Sequence, residues 1–269
     1  QNDNFFETVA LGMEEAADEA DVDMLFRFHE QNMTLATQWI EEFTEQGVDA
    51  IIVSPPVKDG SIVAIQAAYE AGIKIICFNG CFTEEVTEKY VAAIFETDQN
   101  ALGYQLGSYF AGWLTEQELE NPHIGIVGCC NRRNAGFRQA LVDRAVNWHE
   151  DANLEAHLVD EATVVGETIL QSNPQITILW AENEGGTIGS VTAVRNQALS
   201  GQVFVFGIDI SPQLAQMLLD EDGVLQAVGA QSPYLMGELT VQAAIDAVNG
   251  KDAGFNHVPT AFFSRDDLD

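Results

Sequence analysis

The apolar positions of the first eighty residues change period several times. Over residues 6–20, Val9, Met13, Ala16, Ala17 and Ala20 recur at three- and four-residue intervals with acids between them, the spacing of an amphipathic helix. Residues 23–28, Asp-Met-Leu-Phe-Arg-Phe, read as a strand. A second helix is predicted over 34–46, with Thr34 as its N-cap and Gly47 just past its end. The almost wholly apolar segment 48–54 reads as a buried strand, 60–71 as a helix ended by Gly72, and 73–78 as another short apolar strand. Strands that are continuous apolar runs, alternating with helices, predict a parallel sheet covered on both faces.

The alternation then starts afresh. Helices are predicted over 100–114, 134–149, up to Gln171, 185–199 and 237–249, and strands over 123–128, 154–159, 176–180, 203–208 and 259–263. That is too many βα units for one sheet of ordinary width. The predicted fold class is therefore α/β, with two Rossmann-like doubly wound lobes. In such sheets small ligands bind beyond the carboxyl ends of the strands.

Composition narrows the class. Hydrophobic residues make up 46% of the 269, with 22 Gly and 7 Pro, which excludes a disordered or collagen-like chain. The longest apolar runs fall far short of the roughly 18 residues of a membrane-crossing helix. The 42 acidic residues against 11 basic give a net charge of −31, so nucleic acid, which demands a basic face, is not an expected partner. The acids are spread along helices, as in Glu14-Glu15 and Glu41-Glu42, and read as a solvated coat; a saline habitat is the sharper alternative. Cys77, Cys81, Cys129 and Cys130 match no zinc-ligand spacing and are expected to be free thiols. No histidine pair, no Gly-x-Ser-x-Gly elbow and no dinucleotide glycine motif is present, so neither a catalytic constellation, nor a metal, nor a cofactor is expected.

Several strand-end segments carry a resemblance. They are Asp3-Asn4-Phe5-Phe6, the run from Gln46 to Pro55, the run from Ala71 to Ile76, Thr97-Asp98-Gln99, Arg133 before Ala135-Gly136-Phe137, Ala181-Glu182-Asn183, Phe206-Gly207-Ile208-Asp209 and Ala230-Gln231-Ser232-Pro233. In order and spacing they resemble the ribose-type sugar-binding proteins of bacterial ABC importers, over nearly the whole chain. The resemblance implies a type I periplasmic binding protein fold, two lobes joined by three crossing strands near Asp98, Gln231 and Val258 that close on a sugar. The lobes would be 1–98 plus 232–257 and 99–231 plus 258–269. It also implies a monomeric, periplasmic or extracytoplasmic protein that is not an enzyme and hands a monosaccharide or small polyol to an ABC permease or membrane receptor. Family members begin with an apolar strand ahead of the aromatic pair, so about ten further upstream residues are expected. The same fold also serves as the sugar-sensing module of receptors, and as the effector domain of repressors; the latter requires a helix-turn-helix and a basic hinge.

A sugar presents hydroxyls that donate and accept and a ring with apolar faces, which calls for planar polar groups and aromatic platforms. By the resemblance, Phe5 and Phe6 supply the aromatic pair, with Asp3 where the family usually has Asn. Asn183 and Gln231 are the amide ligands, Asp209 takes adjacent hydroxyls, and Arg133 holds two more with its fork. Asn79-Gly80 stands in place of the family's Asp-Arg pair, leaving Asn79 as the ligand there. The stretch 160–167 is shorter than the family's and lacks its covering aromatic, which leaves Trp180 or Phe82 as replacements. A bridge between Cys81 and Cys129 or Cys130 would lock the hinge and is not expected.

Overall fold

The computed structural model describes residues 4–128 and 131–268. They divide into two compact units, Gln1–Thr97 with Ser232–Pro259, and Asp98–Gln231 with Thr260–Asp269. Asp3, Cys129 and Cys130 lie outside the described residues.

In unit 1 the chain runs through helices α1 (Asn4–Ala20) and α2 (Met33–Gln46), strand β1 (Ala50–Val53), α3 (Ile62–Glu70), β2 (Lys74–Phe78), α4 (Glu84–Tyr90) and β3 (Val91–Glu96). After the excursion through unit 2 it adds α10 (Pro233–Val248) and β9 (Gly254–His257). The sheet has the order β1-β2-β3-β9 and is parallel throughout. Its pleat sends Ile76 to one face, among Val9 and Met13 of α1 and Met236 of α10, and Ile75 and Cys77 to the other, among Ile40, Ile65 and Val86. Two glycines set how closely α1 approaches α10. A Cβ on Gly12 would lie 2.1 Å from the Tyr234 carbonyl oxygen, and one on Gly237 2.2 Å from that of Val9.

Unit 2 contributes α5 (Gln99–Glu116), β4 (His123–Gly128), α6 (Asn131–Asp143), β5 (His149–Glu155), α7 (Val159–Ser172), β6 (Ile178–Ala181), α8 (Glu184–Asn196), β7 (Phe204–Ile208), α9 (Pro212–Leu219), β8 (Leu225–Ala230), β10 (Ala261–Ser264) and a final 3-10 turn. Its sheet order is β10-β8-β7-β6-β4-β5, parallel except for antiparallel β10. One face packs on α5 and α6 through Leu106, Phe110 and Phe137, the other on α7, α8 and α9 through Ile169, Val191 and Leu214. The doubly wound α/β architecture expected from the alternation is thus present in each unit.

Several boundaries differ from expectation. Residues 23–28 form no strand. Met24 and Phe26 still turn into the unit 1 core while Leu25 and Arg27 are exposed, so a two-residue alternation runs to Arg27 and ends at the exposed Phe28, but the segment has no ladder partner among the described residues. Unit 2 shows why: its outermost parallel strand β5 pairs through β4, whereas in unit 1 no described strand stands at the matching place beside β1. The cap of α2 is Asn32, not Thr34; its Oδ1 accepts from the Thr34 and Leu35 amides at 2.9 and 3.2 Å, and Gly47 closes the helix at φ 69°. The helix expected over 134–149 stops at Asp143, and the strand expected over 154–159 runs instead from His149 to Glu155. That strand is a polar edge, so it carries no apolar run. The final expected strand, 259–263, corresponds to β10, and β9, which precedes it in the chain and joins the sheet of unit 1, was not expected.

The expectation of free thiols is overturned for one pair. Cys77 and Cys81 form a disulfide with their Cα atoms 5.4 Å apart. Four extended residues would separate them by about 13 Å. The reversal comes from Asn79 at φ 55° and Gly80 at φ 151°, consecutive residues in the left-handed half of backbone space. Cys81 is thereby committed within its own unit.

Candidate functional site

In unit 2 the carboxyl ends of β7 and β8 and the first turns of α5 and α6 bring four long polar side chains together. Arg133 is buried, in the first turn of α6; its side chain is 8% exposed. Its Nε donates to Gln99 Oε1 at 2.6 Å and its Nη1 to the Glu182 carbonyl at 2.5 Å. Gln99 Nε2 donates to Gln231 Oε1 at 3.1 Å, and Gln231 Nε2 donates to Asp209 Oδ1 at 3.1 Å. Asp209 Oδ2 closes the ring, 4.0 Å from Arg133 Nη1.

This ring is positioned by backbone packing. A Cβ on Gly103 of α5 would sit 1.9 Å from the Arg133 carbonyl oxygen, and one on Gly136 of α6 2.0 Å from that of Asn100. Only glycine lets the two helices approach so closely, and that approach places Gln99 beside Arg133. Asp98 caps α5, its Oδ1 accepting from the Asn100 and Ala101 amides at 3.0 and 2.9 Å, which fixes where Gln99 leaves the chain. Asp209 follows the last residue of β7 with φ 74°, an uncommon conformation for a residue with a Cβ, held by its amide donating to the Gly229 carbonyl at 2.7 Å.

The ring keeps capacity for a ligand. Asp209 is 22% exposed at its side chain, and Oδ2 takes no hydrogen bond from a described residue. Arg133 retains further N–H donors beyond the two in use, and Gln231 one more. A carboxylate, a guanidinium and an amide so arranged match a pair of neighbouring hydroxyls.

Asn183 is engaged differently. Its Oδ1 accepts from the Gly186 amide at 2.9 Å as the N-cap of α8, and its Nδ2 donates to the His157 carbonyl at 2.9 Å. One donor and one acceptor of the amide remain. Trp180 and Phe82 do not replace the missing covering aromatic. Trp180 is fully buried and stacked on Phe137 at 4.3 Å, and Phe82 is buried in the unit 1 core among Ile51 and Val86.

In unit 1 the carboxyl end of β2 gathers the aromatic residues. Phe6, in the first turn of α1, meets Phe78 edge-on at 6.2 Å and Phe5 at 5.3 Å, and Phe5 packs against the core. Asn79 follows Phe78 directly, with its amide donating to the Phe95 carbonyl at 2.9 Å. Its side chain is exposed and makes no hydrogen bond to a described residue.

Three of these residues escaped sequence reasoning as site members: Gln99, Phe78 and the buried Glu182, whose carbonyl anchors Arg133. Gln99 and Glu182 lie inside the segments Thr97-Asp98-Gln99 and Ala181-Glu182-Asn183, so the signal was available and its roles were not. Among the described residues no cluster of His, Cys, Asp and Glu could hold a metal, and no helix is long and apolar enough to cross a membrane.

A family model described as a periplasmic binding protein domain matches residues 1–252. An ABC transporter periplasmic-binding protein of Escherichia coli, YphF, is 31% identical over 93% of this chain and 78% of its own length. The ribose import binding protein RbsB of Bacillus subtilis is 23% identical over 93% of this chain and 79% of its own. An ABC transporter periplasmic solute-binding protein from Actinobacillus succinogenes, solved with bound D-allose, superposes with a TM-score of 0.87 at 24% identity, covering 99% of this chain and 95% of that one. The chain belongs to the periplasmic binding protein family, in its ribose-binding-like type I form, whose members are substrate-binding proteins of ABC sugar transport and not enzymes.

Proposed function

We propose that this protein captures a neutral monosaccharide or closely related polyol outside the cytoplasm and delivers it, as a monomer, to an ABC permease. The observation that carries the reading is the ring of Arg133, Gln99, Gln231 and Asp209 at the strand ends of unit 2. Its open valences are of the kind a vicinal diol fills: one carboxylate oxygen to accept and guanidinium and amide N–H groups to donate. Phe6, beside Phe78, offers an apolar surface for the ring face, and Asn79 a carboxamide for a further hydroxyl. Asn183 contributes its remaining donor and acceptor, and Asp3, two residues ahead of Phe5 in sequence, a further hydroxyl partner. The Cys77–Cys81 bridge supports the oxidising compartment this role requires.

Calorimetric titration with D-ribose, D-allose, D-galactose, L-arabinose and small polyols tests the reading. Binding of at least one at micromolar affinity, about −8 kcal/mol, is expected. Silence across the panel, with heat from an amino acid or an inorganic anion instead, overturns it.

A further inference from the structure

The Cys77–Cys81 disulfide encloses three residues, and the middle one is Asn79. Cys77 is fully buried in β2, in register with Val53 of β1 and Ile94 of β3, so one end of the bridge is fixed by the sheet. The other end is anchored just beyond Cys81. Phe82 is buried in the same core, and the Thr83 amide donates to the Lys58 carbonyl at 3.0 Å. Between these anchors the backbone holds two left-handed residues in succession, and the Asn79 amide is the loop's hydrogen-bond donor to β3, through the Phe95 carbonyl. Among the described residues no side-chain hydrogen bond holds Asn79, in contrast to Asp209. A short Asn-Gly segment without a covalent closure would populate many other conformations, because both residues move freely between the left- and right-handed regions.

We propose that the disulfide is a positioning element of the binding site: it holds Asn79 preorganised, with its carboxamide exposed, and so sets the contribution of Asn79 to sugar affinity. This rests on the reading that Asn79 touches the sugar. Ordering a loop before the ligand arrives removes that cost from the binding step. The bridge leaves both faces of the amide available, where a polar clamp would occupy one of them.

The test is a double-mutant cycle read by calorimetry with D-ribose and D-allose. Cys81→Ser opens the bridge while leaving the buried Cys77 in place, and is expected to weaken binding about tenfold, or about 1.4 kcal/mol. In an Asn79→Ala background the same change is expected to weaken binding less than twofold, because nothing remains to be positioned. Wild-type protein reduced with a phosphine repeats the comparison should Cys81→Ser fold poorly. An equal loss in both backgrounds would show a general structural staple, and no loss in either would show a bridge without influence on the site; both overturn the inference alone. A wild-type protein that binds no sugar overturns the underlying reading, and the inference with it.

Discussion

Asn79 after β2 and Asp209 after β7 occupy matching places in their sheets: each follows the last strand residue, adopts a positive φ, and donates its amide to the neighbouring strand. Beyond the backbone they share nothing. Asp209 is held by side chains, with Gln231 on one oxygen and Arg133 near the other, and both are tied to Gln99. Asn79 has no such company among the described residues, and its loop is closed by a covalent bond two residues to either side. A polar ring positions its members and gives up part of their hydrogen-bonding capacity in doing so. A disulfide positions the backbone and leaves the side chain's capacity whole.

The difference can be broken most forcefully on the polar side. Asp209→Ala should weaken sugar binding by about 1.5 to 3 kcal/mol, the range for a hydrogen bond to a charged group, while the protein stays folded. Calorimetry together with a melting curve separates the two effects, and an intact affinity in a folded variant would place Asp209 outside the site.

Next comes the support beneath the ring. Gly103→Ala puts a methyl group where the Arg133 carbonyl already lies, so α5 and α6 must separate. A loss of about 1 to 3 kcal/mol in stability is expected from such overpacking. Because Arg133 moves with α6, sugar affinity should fall too. Full affinity in a destabilised Gly103→Ala protein would show that the ring tolerates displacement of its base.

Acid sharpens the contrast at smaller cost. Arg195 of α8 donates to Asp222 at 2.7 Å and to Asp220 at 2.6 Å, fastening the loop after α9. The hydrogen bond from Arg195 holds the Asp222 carboxyl below its ordinary value of 3.8. A carboxylate so lowered stabilises the fold above its unfolded pKa and loses that contribution as the pH falls through the folded one. Removing Arg195 should cost about 0.2 to 1 kcal/mol near neutrality and nothing once the pH is below both values. Thermal melts of Arg195→Met from pH 7 down to the acid limit of solubility check this. A penalty that persists unchanged in acid would rule out the ion pair as its source.

These contrasts were only partly legible in the sequence. The βα alternation revealed itself because interior parallel strands such as 73–78 and 123–128 are continuous apolar runs. Strand β5 was displaced in the reading because it is an edge with polar residues on both faces, and 23–28 was read as a strand because side-chain alternation says nothing about whether a ladder partner is there. Helices α4 and α9 and the strands β3 and β8 that follow them went unread; both helices are short, seven and eight residues, too brief for a helical period to stand out. Within the site, Asp209, Arg133 and Gln231 were reached through resemblance, and the structure brings them within one ring. The disulfide was not legible at all. Cys-x-x-x-Cys at a strand end matches no familiar spacing, and only the backbone reversal at Asn79 and Gly80 brings the sulfurs together.

The smallest effect concerns salt, and it bears on the central claim. With 42 acids against 11 basic residues, most carboxylates have no partner of opposite sign, and their repulsion weakens as screening shortens from about 30 Å at 0.01 M to about 3 Å at 1 M. The melting temperature should therefore rise with salt, and a flat one would remove the repulsion. A neutral ligand held by short hydrogen bonds and an aromatic face feels little of this. Titrating the protein with its tightest-binding sugar across that range of salt tests the account most directly. It predicts micromolar binding whose affinity changes less than about threefold, under 0.7 kcal/mol. Affinity that collapses as salt is added would contradict it.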